Sequence, residues 1–282
     1  MTRKNAAPNT NLTLPVSPET MWRMTALARF WFSPIYLGLE NVRKERPCLY
    51  VGNHTIYGVL DIPLYMARLY RDKGVVLRGL GDHFHYRVPL WREFVTQFGS
   101  VHGTPENCDA LMDAGEHVMV FPGGGREVCK RKGEAYKLVW KNRTGFARLA
   151  IAHGYPILPM ASVGPDNAYT ILLDADDFLE SLPGRLATSF GPVRRLLRDG
   201  EAVPPIARGI GPTLIPRPER FYFSFGRPIP TRAYRGREND PDALMELRKK
   251  VEDSIHQQMG RLLLLREQDT DKGLLRRILT RL

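Results

Sequence analysis

Cysteine is scarce here: Cys48, Cys108 and Cys129 are the only three in 282 residues. The number is odd and no C-x-x-C pair occurs, so neither a disulfide framework nor a cysteine zinc site is expected, and a reducing compartment suits the chain. Acidic residues are in deficit, 30 against 41 Lys and Arg, and the net charge of +11 points to an anionic partner. Long apolar runs are missing. The densest, Phe30 to Leu37, is broken by Pro34 and falls short of the roughly 18 residues a membrane span needs. The first twenty residues are polar and show no apolar stretch of a secretory signal, so an intracellular protein is expected.

Several catalytic motifs are also absent. Gly123-Gly-Gly125 continues as Arg126-Glu127 and not as the Gly-Lys-Ser/Thr of a P-loop. Ser162 lies in Met160-Ala-Ser-Val-Gly164, with Met where a nucleophile elbow has Gly. Gly79-Leu-Gly81 runs into Asp82-His83 and lacks the third Gly of a dinucleotide fingerprint. His83 and His85 alternate without a carboxylate or Cys at ligand spacing, so no metal is expected.

What is present reads as one α/β unit. Short apolar runs at Cys48–Gly52, Val75–Leu77, Val118–Phe121, Pro156–Met160 and Phe221–Phe225 predict buried strands. Helical segments at Leu60–Arg71, Pro105–Ala114, Asn142–Ala152 and Asp242–Leu265 alternate with them, which predicts a largely parallel central sheet covered by helices. Residues 1–17 read as a disordered arm, 18–265 as a single domain with an N-terminal amphipathic helical region over 18–38, and 266–282 as a basic tail. The helical region carries Trp22, Phe30, Trp31 and Phe32, which suit a membrane interface or a core contact about equally. The prolines at 204, 205, 212, 216 and 218 mark residues 200–219 as an extended surface loop.

Two segments carry chemistry. After the first predicted strand comes Asn53-His54-Thr-Ile-Tyr-Gly-Val-Leu-Asp61. On one unbroken helix, seven positions would hold His54 and Asp61 about 10 Å apart. A turn at Tyr57-Gly58, with a helix starting near Val59, would let the carboxylate fold back onto the imidazole. A carboxylate-held His is a general base, and a structural His beside a capping Asp explains the same residues. The second segment, Val118 to Glu127, runs from a strand into Gly123, Gly124 and Gly125, whose amides suit a phosphate or an oxyanion. From Arg126 to Arg148 eight Lys and Arg face Glu127 and Glu134, a local excess of six positive charges.

Asn53-His54 followed by Asp61, then Phe121-Pro-Gly-Gly-Gly-Arg-Glu127, then Pro156-Ile-Leu-Pro159, resembles the ordered blocks of the glycerolipid acyltransferase superfamily over roughly residues 48 to 165. Phe121–Glu127 and Trp140–Ala150 look most like the branch of type-2 diacylglycerol, wax-ester and phytyl-ester acyltransferases. The resemblance implies acyl transfer from an acyl-CoA or acyl carrier protein thioester to a lipid hydroxyl, without a permanently bound cofactor. It implies His54 as base, Asp61 as its orienter, and substrate contacts at Gly123, Gly124, Gly125, Arg126 and Glu127; Arg126 matches an arginine that holds acceptor phosphate. Asp82 to Val101 resembles the block for acceptor or acyl contacts. Six residues separate His54 from Asp61 where the family has four, and Gly123 stands where the glycerol-phosphate branch has Glu. The implied partners are an anionic membrane surface, an acyl thioester and a lipid acceptor at the cytoplasmic face of a membrane, with no nucleic acid. The rival readings are a non-catalytic basic lipid- or RNA-binding protein and an esterase that uses water.

Overall fold

The computed structural model describes residues 16–282, apart from 83–85, 87–88, 198–199, 271–272 and 282. Helices α1 (Pro18–Met24) and α2 (Ala26–Phe32) lead into strand β1 (Ile35–Leu37). Then follow β2 (Leu49–Gly52), α3 (Ile62–Lys73), β3 (Leu77–Gly81), α4 (Pro89–Gln97), β4 (Val101–His102), α5 (Pro105–Asp113) and β5 (His117–Val120). The second half holds α6 (Gly125–Val128), α7 (Gly145–Ala152), β6 (Ile157–Val163), β7 (Thr170–Leu173), α8 (Ala175–Glu180), α9 (Leu182–Ser189), α10 (Gly191–Leu196), β8 (Ile206–Arg208) and β9 (Tyr222–Phe225). Two helices close the chain, α11 (Pro241–Gln268) and α12 (Leu274–Arg281).

Seven strands form one sheet in the order β1-β9-β6-β2-β5-β3-β4, parallel at every pairing except β6 with β9. Side chains alternate along β2: Leu49 and Val51 enter the apolar layer under α7 and α11, while Tyr50 enters the layer under α3 with Phe221 and Phe223. With both faces covered, β2 and β6 are buried along their whole length. That is why they read as continuous apolar runs and not as alternation.

The N-terminal region departs from the single helix expected over 18–38. Thr25 turns its hydroxyl onto the carbonyls of Met21 and Trp22, and the chain breaks there into two short helices. Ser33 takes a left-handed conformation ahead of Pro34, which ends α2 and frees residues 35–37 to pair with β9. Of the expected arm 1–17, Ser17 caps α1 and Val16 donates to Gln97 O; residues 1–15 lie outside the described part. The tail from 266 completes α11, then forms α12, where Arg276 donates to Trp31 O and Ser33 Oγ. Residues 200–219 are not wholly loop either. Strand β8 pairs antiparallel with β7 in a separate two-stranded sheet, since the prolines flank residues 206–208 and leave their amides free to bond.

Candidate active site

Parallel neighbours β2 and β5, in register at Val51 and Val120, end on the same edge of the sheet. Their continuations, Asn53-His54 and Phe121-Pro-Gly-Gly-Gly125, therefore meet where parallel α/β sheets place their ligands. His54 is half-buried and its imidazole stacks on Phe121, ring centres 4.0 Å apart and planes 15° from parallel. Asn53 anchors the segment sideways: its amide donates to Ser162 O and accepts from Ser162 N–H, both at 2.9 Å.

After His54 the chain makes a 3-10 turn over Ile56–Gly58, with Tyr57 at φ 59° and Gly58 at φ 62°. Gly58 is required there, because a Cβ would overlap Cε1 of His54. The expected turn at Tyr57-Gly58 is thus present, and the helix begins at Ile62 instead of Val59. Asp61 is its N-cap, accepts from Ile62 N–H at 3.0 Å, and also faces the hydroxyls of Ser162 and Thr55. Burial pushes its carboxyl up to about 6.

The glycine loop is held by Arg143, whose guanidinium donates to the carbonyls of Pro122 and Gly123. Gly124 adopts a positive φ of 52°, and Gly125 opens α6. Among the described residues the first-turn amides of Gly125 and Arg126 meet no backbone carbonyl. Gly123 lacks a Cβ for a local reason: one would collide with the Glu127 side chain, which folds beneath it.

Glu127 is fully buried, and desolvation raises its carboxyl to about 7 although Lys130 and the amides of His54 and Val139 oppose the rise. Those amides approach it without completing strict hydrogen-bond geometry. Lys130, itself buried, stands 3.6 Å from Asp166, which accepts from the amides of Ile56 and Tyr136. Two buried carboxyls and one ammonium thus tie the backbone on both sides of Thr55 to the glycine loop.

His54, Gly124 and Gly125 line a cavity of about 140 Å³, walled chiefly by apolar groups such as Ile62, Met66, Phe94, Phe98 and Met119. Tyr57, Asp82 and Ser100 add to its polar part. Asp61, Gly123 and Glu127 are not among the residues that line the cavity. Arg126 turns away into a bidentate pair with Glu134, at 2.9 and 2.5 Å. Of the expected acceptor block, Asp82, Phe94 and Phe98 reach the cavity, whereas His83, Phe84 and His85 lie outside the described residues. Sequence reasoning missed Lys130, Arg143 and Asp166, which lie in turns without a periodic signal. It also passed over Ser162 once the nucleophile elbow failed. Among the described residues no group of three or more His, Cys, Asp or Glu is arranged to hold a metal, and no helix is long and apolar enough to cross a membrane.

The family model described as Acyltransferase matches residues 34–163, the span holding both His54 and the glycine loop. Phytyl ester synthase 1, chloroplastic, of Arabidopsis thaliana is 30% identical over 86% of this chain and 36% of its own length. The bovine "DGAT1/2-independent enzyme synthesizing storage lipids" is 34% identical over 50% of this chain and 41% of its own. The chain spans less than half the length of these relatives. Among solved structures, the 1-acyl-sn-glycerophosphate acyltransferase PlsC of Thermotoga maritima is 16% identical, with a TM-score of 0.48 over 84% of this chain and 78% of that one.

Proposed function

Residues 34–163 are an acyltransferase-family domain, and on that premise we propose that the chain moves a fatty acyl group from an acyl-CoA or acyl carrier protein thioester to a lipid hydroxyl. The observation that carries the proposal is the joint placement of His54 and the glycine loop on one mainly apolar cavity at the ends of β2 and β5. The reaction needs no covalent enzyme intermediate. His54 takes the proton of the acceptor hydroxyl as its oxygen attacks the thioester carbonyl. The amides opening α6 hold the oxyanion of the tetrahedral intermediate. Collapse breaks the carbon–sulfur bond, and the leaving thiolate takes the proton back from the imidazolium.

Asp61 is assigned the orienting role, acting from the N-cap of α3 on the turn that carries His54. Glu127 is the alternative orienter, since it meets the same segment at the His54 amide. Arg126 is engaged by Glu134, so a phosphorylated acceptor would have to break a buried pair. This favours a neutral acceptor, a long-chain alcohol or a diacylglycerol, over a lysophospholipid. The enzyme works as a peripheral protein on an anionic leaflet at the cytoplasmic side.

The test is incubation of purified protein with labelled acyl-CoA and, in turn, a long-chain alcohol, a diacylglycerol and a lysophosphatidate, with lipid products read by mass spectrometry. Label in a wax ester or triacylglycerol supports the reading. Label only in free fatty acid makes the protein an esterase, and no turnover of any thioester makes it a binding protein.

A further inference from the structure

The two-stranded sheet β7–β8 and the helices α8 to α10 between its strands form an annex beside the seven-stranded sheet. A lone pair of strands is marginal in water, yet this one leaves Leu172, Leu173 and Ile206 exposed, with Leu173 opposite Ile206. On α9 and just past it, Leu182, Leu186 and Phe190 recur every four residues and are 82, 66 and 60% exposed. That spacing stacks them on one side of the helix, with Arg185 as flank. The loop after β8 adds Leu214 and Ile215, also exposed.

Besides the ion pairs of Arg131 and Lys132 with α8 and of Lys141 with Glu201, two hydrogen bonds set these patches against the rest of the molecule. Trp31 Nε1 donates to Pro216 O and sets the Leu214-Ile215 loop against α2, whose Leu27 and Phe30 are exposed too. Tyr57 Oη donates to Pro205 O and sets the entry to β8 beside the turn that lines the cavity. Exposed apolar area on this scale, next to a ligand cavity, marks an interaction surface.

Charge selects the occupant. The acids of the annex gather at α8, where Asp174, Asp176 and Asp177 are engaged by Arg131 and Lys132 and Glu180 remains; from Ser181 to Pro216 five arginines stand against Asp199 and Glu201, and Glu201 is paired with Lys141. The helices α9 and α10 carry Arg185, Arg194 and Arg195 and no acid. A second copy packed through α9 and α10 would bring arginine against arginine. We propose that the annex, through Leu182, Leu186, Phe190, Ile206, Leu214 and Ile215, is the element that docks the protein on a bilayer containing anionic lipid. The choice of a bilayer rests on the lipid chemistry proposed above, and the docking places the cavity mouth at the surface from which lipid substrates enter.

The experiment uses the full chain and vesicles of phosphatidylcholine with phosphatidylserine, read by co-sedimentation. Leu186→Asp/Phe190→Asp should weaken binding at least tenfold, because two apolar side chains no longer enter the interface. Arg185→Glu/Arg195→Glu, which alters exposed charge alone, should weaken it several-fold on these vesicles and hardly at all on pure phosphatidylcholine. Both variants should keep the wild-type rate on substrates presented in detergent micelles. Wild-type binding by both folded variants, or a wild-type chain that does not bind vesicles, overturns the docking surface. So does a dimer, seen by light scattering, that the variants dissolve while vesicle binding stays intact. If the wild type transfers no acyl group in micelles but the variants still lose vesicle binding, the acyltransferase reading fails and the docking surface stands.

Discussion

The strand-end site and the annex depart from ordinary burial in opposite directions. Around His54 the protein buries Asn53, Thr55, Asp61, Glu127, Lys130, Asp166 and Ser162, all polar. In the annex it exposes Leu182, Leu186, Phe190 and Ile206. Each costs free energy in the isolated chain, the first through desolvation and the second through hydrated apolar surface. The buried polar groups are aimed mostly at backbone amides and hydroxyls, so their cost fixes the position of the segment that carries His54. The exposed apolar groups have nothing to fix; they gain only when something covers them. On the proposed function one region serves chemistry and the other placement, and substitutions should separate them cleanly.

The largest contrast is expected at His54. His54→Ala should lower acyl transfer by a factor of a thousand or more while the unfolding midpoint moves only a few degrees, because the imidazole is half-buried at a strand end. Steady-state rates and calorimetry on one preparation check this; retained transfer would remove the proposed mechanism. Asp61→Asn comes next, with turnover reduced by hundreds if Asp61 orients the base. His54→Ala/Asp61→Asn should then be little worse than His54→Ala, as expected of groups that act as a unit. If Asp61→Asn keeps most of its activity and Glu127→Gln loses it, Glu127 is the orienter.

Gly124→Val should reduce turnover by tens-fold and stability less, since it forces a β-branched residue to positive φ beside the cavity. Equal losses would show that the glycines only make the turn.

Stability against pH gives a smaller, signed effect. The folded Asp61 carboxyl sits near 6 and the unfolded one near 4, so between these values the native state holds the extra proton. Stability is therefore lost, not gained, as pH rises through this window, and two pKa units correspond to about 3 kcal/mol. Glu127 extends the decline toward pH 7. Denaturant melts from pH 4 to 8 should show this slope in the wild type and a shallower one in Asp61→Asn and Glu127→Gln.

The smallest effect on catalysis is expected at Arg126. Arg126→Ala leaves the half-buried Glu134 with the Arg131 amide but without its bidentate partner, and should cost about 1–3 kcal/mol of stability with little change in KM for a neutral acceptor. A KM increase specific to an anionic acceptor, without loss of stability, would return Arg126 to the phosphate-binding role that the resemblance implies.

Much of the sheet was legible in the sequence. Central strands covered on both faces must be apolar throughout, which is why β2, β5, β6 and β9 appear near their true bounds. The edge strands β1 and β4, and the annex pair β7 and β8, span only two to four positions and give no comparable signal. His54 and the glycine loop were legible because strand ends followed by Gly have few other uses. Lys130, Asp166 and Arg143 were not, since Lys130 pairs with the carboxylate of Asp166 and the other two hold backbone atoms, all distant in sequence.

By itself, then, the sequence determined the α/β class, the excess of positive charge and the two segments that carry chemistry, because periodicity, charge and glycine placement are local properties. Only the tertiary structure decided that Arg126 serves Glu134, that Glu127 lies under Gly123 against the His54 amide, and that α2 lies beside the loop after β8. Those outcomes depend on which groups lose water together, and that is set when distant segments pack.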